Sequence, residues 1–369
     1  MNFFTNCDDE FNNKIVPFWQ TKIAFNECAT MIKSENGEIT ANLLFKPTKI
    51  LEVRDASLEK VYEQGKDYIW EKGTNKLKLA ENSEIPYFTR DDLEGRNEDG
   101  TRVWEWGETD AGWTEKNPWD EKGRCRFRDA LFCTGKFYYT KQLYVTYEHD
   151  EVWQGSRTEY IGDYIPKTMK KLNAGEPMKI VFYGDSIFAG CDSSKMHNRK
   201  PYQDSFPQFT KEFLEKKFGS EITLHNPSVG GKSSVWGKEN AKELAADHSP
   251  DLVIIGFGMN DGGRTGDTVA ENIQSIIDTV LQTNPECEFI VIAPMVANEK
   301  AGFLTTHVQF PEAYKKLSKT GVGFIDMFNV HKDILKIKDF SATSGNHINH
   351  PNDWLIRVYA MNIIAGFLK

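Results

Sequence analysis

From Lys179 onward, short apolar runs alternate with longer stretches of helical periodicity, and few architectures accommodate both patterns at once. The apolar runs fall at 179–183, 222–224, 252–257, 289–293 and 322–325, each dominated by β-branched and aromatic residues. Helical spacing fills 206–218, 236–247, 268–284 and 309–318, and a last helix is expected over about 352–367. A strand with no polar face is covered on both sides, and a helix between consecutive strands makes each crossover right-handed. The pattern therefore predicts an α/β region with a parallel sheet between two helical layers.

The first part of the chain reads differently. Runs at 39–45, 50–53, 68–70, 77–79 and 143–147 are short, β-prone and separated by turn residues, which predicts an antiparallel β-sandwich over residues 1–150. Gly155, Gly162, Pro166, Gly175 and Pro177 interrupt residues 151–178, read as a linker ahead of a second domain at 179–369. A chain of 369 residues suits two domains, each able to bury its own core. Within the β-rich part, Trp104, Trp106, Trp113 and Trp119 crowd a stretch that also carries Glu105, Glu108, Asp110 and Asn117. Such a loop either offers flat indole faces to a sugar ring or packs its indoles onto its own domain.

Composition narrows the partners. A formal charge of −9 and a pI near 5.5 oppose binding to nucleic acid or an anionic membrane surface. No run of 18 apolar residues is present, and the amino terminus has neither a basic nor an apolar targeting segment, so no membrane span is expected. Six scattered cysteines without a Cys-x-x-Cys pair read as reduced thiols, with the cytoplasm as the default compartment. A neutral or locally recognised small-molecule substrate fits this balance, and no cofactor or metal is called for.

In an open parallel sheet, ligands bind at the carboxyl ends of the strands. The first apolar run ends in Gly184-Asp185-Ser186, which places a hydroxyl at that edge as a candidate nucleophile. The second is followed by Asn226-Pro227-Ser228-Val229-Gly230-Gly231-Lys232-Ser233, where a glycine brings a bare N–H toward an oxyanion. The third ends in Gly258-Met259-Asn260-Asp261, whose Asn260 amide is a second donor. His350, followed by Pro351 at the entrance of the last helix, is positioned to act as a general base.

With these four blocks in this order, residues 179–369 resemble an SGNH hydrolase of the GDSL esterase superfamily. The resemblance implies a three-layer α/β/α sandwich with a flavodoxin-like sheet, Ser186 as nucleophile and His350 as base. It also implies an oxyanion hole from Ser186 N–H, Gly231 N–H and the Asn260 side chain. Several acetyl esterases of this superfamily that act on carbohydrates place a β-sandwich ahead of the hydrolase domain, a similar order to the one here, and the resemblance favours a sugar-linked ester or oligosaccharide as partner. One position departs from the pattern: the aspartate usual three residues before the histidine is His347. Asp353, a backbone carbonyl, or no third group at all are the alternatives for orienting His350. His347 and His350 lack a third ligand at metal-binding spacing.

The expectation is a serine esterase that removes short acyl groups, acetyl foremost, from a carbohydrate through an acyl-enzyme. An acyltransferase with the same site is the close rival. A carbohydrate-binding protein with a decayed site, suggested by His347, is the more distant one.

Overall fold

A computed structural model describes residues 10–97, 99–103, 105 and 124–369. The Trp-rich segment, with Trp104, Trp106, Trp113 and Trp119, lies outside the described residues.

The first part of the chain forms strands β1 (Ile23–Lys33), β2 (Ile39–Asn42), β3 (Pro47–Asp55), β4 (Val61–Tyr62), β5 (Tyr68–Trp70), β6 (Lys76–Leu79) and β7 (Tyr87–Phe88). A hairpin of β8 (Cys125–Phe127) and β9 (Ala130–Phe132) and a long β10 (Gln142–His149) follow. Short helices α1 (Glu10–Ile15), α2 (Arg90–Glu94) and α3 (Lys136–Tyr139) are interspersed. One mainly antiparallel sheet runs β4-β3-β10-β1-β2-β6-β5, with β7 added in parallel to β1. β1 is its spine: the early residues pair with β10, and the late ones with β2 and β7. The expected β-rich region is therefore present as a barrel-like sheet that turns about this strand.

Helix α4 (Pro166–Asn173) precedes the second sheet, within the stretch read from glycine and proline as a plain linker. Pro166 stands in its first turn, where a missing N–H does no harm, so the proline starts a helix instead of breaking one.

The second sheet is β11 (Met178–Gly184), β12 (Ile222–His225), β13 (Leu252–Gly256), β14 (Glu288–Ala293) and β15 (Val322–Asp326). Its order is β12-β11-β13-β14-β15 and every pair is parallel, as the alternation of strands and helices requires. Between strands lie α5 (Phe206–Phe218), α6 (Ser234–Leu244), α7 (Gly266–Thr283) and α8 (Phe310–Lys315), with α9 (Met327–Ile334) and α10 (Asp353–Gly366) after the last. α9 follows β15 without any turn residue, because Asp326 caps it directly by accepting from Asn329 N at 2.9 Å.

Alternating side chains of β11 serve the two faces. Ile180 and Phe182 join α5 and α10 in one core, while Val181 and Tyr183 join α6, α7 and α8 in the other. The first of these cores does not stop at the second sheet and its helices; it continues through Cys28, Leu44, Val145 and Tyr147 of the first sheet region. Two separate cores, one per domain, are not what forms.

α10 shows why. Every residue from Asp353 to Gly366 is buried, as expected of a helix apolar on all sides with partners all round. Its outer side faces β1, where the pairing to β10 slips between Ala24 and Glu27. Arg357 of α10 reaches into that bulge, donating from Nη1 to Phe25 O at 3.0 Å and from Nη2 to Asn26 O. A second buried link joins Lys338 Nζ to Glu27 of β1. Among the described residues no helix is long and apolar enough to cross a membrane.

Candidate active site

The strand order reverses at β11, so the loops after β11 and β13 diverge and leave a crevice between them. Ser186 stands at its edge, one turn beyond β11. Both strand ends need glycine: a Cβ on Gly184 would lie 2.5 Å from Gly256 O, and one on Gly256 would lie 1.8 Å from the Phe188 ring. Removing those two methyl positions lets the Ser186 turn fold down over the neighbouring strand.

His350 Nε2 is 2.9 Å from Ser186 Oγ, and His350 Nδ1 is 2.6 Å from Asp192 Oδ2. A carboxylate accepts only, so the ring proton resides on Nδ1 and leaves Nε2 free to take the serine proton. Asp192 is buried, which by itself would raise its pKa, yet hydrogen bonds from His197 and His350 hold it down at about 2. The carboxylate is thus charged wherever the imidazole needs it.

The loop that presents His350 is organised by Asn346. Its Oδ1 accepts from Ile348 N at 2.9 Å, Asn349 N at 3.0 Å and His350 N at 3.1 Å, closing a tight turn around a fully buried amide. Ser344 Oγ donates to His350 O at 2.8 Å and receives His347 N at 2.9 Å. Pro351 pairs with Ser344 outside the helix, and Asn352 caps α10 by accepting from Leu355 N at 3.0 Å. The expected place of Pro351 in the first helical turn is therefore taken by Asp353. Gly345 lets this loop lie against Asp192, since a Cβ there would come within 2.5 Å of the Asp192 Cβ.

Asp353 does not orient His350. Its Oδ1 accepts from Ser194 N at 2.9 Å, and burial raises its pKa to about 6. It points away because the first-turn position at the start of α10 aims it at the 193–199 turn, while the Nδ1 position is already filled by Asp192. The alternatives of a backbone carbonyl and of an unassisted dyad fall for the same reason.

The remaining loops converge on the same rim. Ser228 Oγ receives Gly184 N at 2.9 Å, and Val229 N donates to Gly184 O at 3.2 Å, which pins the second loop to the end of β11. Asn260 Nδ2 donates to Lys232 O at 3.1 Å, and Asp261 holds both Ser234 N and Ser234 Oγ, so the third loop is tied to the second. Gly231 has φ +75°, open to glycine, and a Cβ on the adjacent Gly230 would lie 3.8 Å from the Ser186 Cβ. Among the described residues, no three His, Cys, Asp or Glu side chains gather as a metal site would need.

Residues 182–354 match the model of the GDSL-like lipase/acylhydrolase family. A curated arylesterase from Vibrio mimicus is 29% identical over 104 residues, which are 28% of this chain and 48% of the relative. The chain thus spans about half the length of the curated relative it matches. A two-domain esterase active on acetylated mannans is similar in structure at 20% identity and TM-score 0.46, covering 56% of this chain and 54% of its own. An acetylxylan esterase from Geobacillus stearothermophilus aligns at 20% identity and TM-score 0.44, over 53% of this chain and 97% of that one.

Within the matched region, His347 stands at the position where the sequence resemblance leads one to expect an acid, and it has turned away. Its backbone sits at φ +66°, and its ring stacks on Tyr138 with centroids 5.0 Å apart. Burial lowers its pKa to about 4, so it is a neutral packing residue. Asp192 is the residue that sequence reasoning missed. Six positions after Ser186 in an irregular loop, it belongs to no periodic pattern; its own left-handed φ of +65° and the close approach of Gly345 emerge only in three dimensions.

Proposed function

We propose that the chain is a serine esterase in which Ser186, His350 and Asp192 act together on a short acyl ester. The single observation that carries this is the continuous hydrogen-bonded series from Ser186 Oγ through His350 to Asp192 at the exit of β11. In this reading Ser186 Oγ attacks the ester carbonyl carbon as its proton passes to His350 Nε2. The tetrahedral oxyanion is held by Ser186 N–H, Gly231 N–H and Asn260 Nδ2. The hydrogen that Asn260 does not spend on Lys232 O is the one available for this. Collapse breaks the bond to the alcohol, which leaves with the proton from His350, and water then attacks the acyl-Ser186 with His350 again as base.

The favoured substrate is an acetyl ester on a carbohydrate, with the hydrolase region at 179–369 joined through 151–178 to an accessory β region at 1–150. The decayed-site reading drew its force from the missing acid at 347, and Asp192 supplies that carboxylate from another loop. The test is hydrolysis of p-nitrophenyl acetate, then of acetylated mannan and xylan, the polymers named for the neighbouring structures. Activity that disappears in Ser186→Ala supports the reading, and equal rates in the two proteins overturn it. Analysis of the product, free acetate against acetylated sugar acceptor, separates hydrolysis from acyl transfer.

A further inference from the structure

Asp192 has two carboxylate oxygens, and both are taken by imidazoles. Oδ2 accepts from His350 Nδ1 at 2.6 Å, and Oδ1 accepts from His197 Nε2 at 2.7 Å. We propose that His197 is a positioning residue of the esterase site, acting on His350 through Asp192. The proposal rests on the reading of Ser186, His350 and Asp192 given above.

A carboxylate fastened at one oxygen only is free to swing about its terminal torsion, which is broad in aspartate. A second donor on the other oxygen stops that motion and with it fixes the plane in which His350 Nδ1 is held. His197 is itself well anchored. Its N–H donates to Ser193 O at 3.3 Å, Arg199 N donates to Ser194 O at 2.8 Å, and Met196 N donates to Ser193 Oγ at 3.2 Å, so residues 193–199 form one closed turn. That turn is pinned to the last helix through Ser194 N on Asp353 Oδ1 and Gln203 Nε2 on Asp353 O.

The two rings differ in surroundings. His350 faces Ser186 and Asp192, with the Asp185 carboxyl near enough to interact with it. The His197 side chain is one quarter exposed and lines a small polar cavity with Asp192, Asp353 and Arg199, roofed by Tyr139 and Tyr144 of the first sheet region. His197 is therefore reached by solvent on one side while its Nε2 faces Asp192 on the other. The orientation of His350 is in this way held by a ring on the far oxygen of Asp192.

The experiment compares the full chain with His197→Ala and His197→Gln for p-nitrophenyl acetate hydrolysis from about pH 5 to 9, with the proton NMR signal of the Asp192–His350 hydrogen bond recorded alongside. His197→Ala is expected to lower kcat by about 10- to 100-fold with KM within about twofold, the scale typical of residues that orient another ligand or base. Glutamine keeps an N–H donor for Asp192 Oδ1. His197→Gln should recover most of kcat and retain the downfield resonance. The proposal is overturned if kcat in His197→Ala stays within about twofold of wild type, or if glutamine restores neither the rate nor the resonance. A wild-type chain with no turnover would sink the hydrolase reading instead, and the resonance in the two variants would still decide the role of His197.

Discussion

Tyr138 and His347 lie ring on ring, 28° from parallel, and through them the first sheet region grips the loop that presents His350. Tyr138 is fully buried and donates its hydroxyl to Leu131 O at 2.8 Å, so the β8–β9 hairpin, α3 and the histidine loop form one packed unit. Replacing Tyr138 by alanine should cost about 3–5 kcal/mol of stability, as large aromatic truncations in cores do. Because the loop loses its backing, kcat should also fall, while Tyr138→Phe, which keeps the stack, should lose only about 1 kcal/mol. Urea titrations and steady-state rates on the same preparations check both.

Asp192 and Asp353 are two buried aspartates near one histidine with opposite fates. Asp192→Asn leaves a single oxygen for two imidazole donors and sets an amide against His350 Nδ1, favouring the wrong tautomer. Its kcat should drop by about 10²- to 10⁴-fold. Asp353→Asn keeps an oxygen for Ser194 N and should stay within about tenfold of wild type. Comparable losses in the two variants would mean that the orienting group has been assigned wrongly.

Asp353 should instead reveal itself in stability. Its folded pKa, raised by burial to about 6 from an ordinary 3.8, means the folded chain holds a proton that the unfolded chain has already released between those values. Stability from this group is complete below about pH 3.8 and is lost as pH rises through about 6. Relative to wild type, Asp353→Asn should therefore gain up to about 1.4 kcal/mol per pH unit across that window and nothing further above it. Chemical denaturation at four or five pH values measures the difference directly.

Lys338 and Glu27 form a buried ion pair across the two sheet regions, and Glu27 also accepts from Leu44 N at 2.8 Å. Lys338→Met removes one charge and strands the other. A loss of about 3–5 kcal/mol is expected, with one cooperative transition for the whole chain because the core is shared. Two well-separated transitions in wild-type calorimetry would contradict the shared core.

Much of the site was readable before any coordinates. The strands and parallel pairing of the second sheet, the position of Ser186 beyond β11, and the convergence of 226–233, Asn260 and His350 follow from where apolar runs end and where glycine, serine and asparagine begin. Three things were not readable. α4 hid behind its own proline, α9 started without a turn, and the orienting acid came from a loop whose only marks are an unusual backbone angle and a glycine 153 positions away.

The sequence by itself determined the layer architecture and the placing of Ser186 and His350 at one sheet edge, because those depend on local periodicity and on which residues follow each strand. Only the tertiary structure decided that Asp192 serves His350, that His347 became packing for Tyr138, and that both sheets share one core. The reason is physical: whether a carboxylate orients a ring or merely caps a helix depends on which distant atoms occupy the few ångströms around it, and spacing along the chain does not encode that.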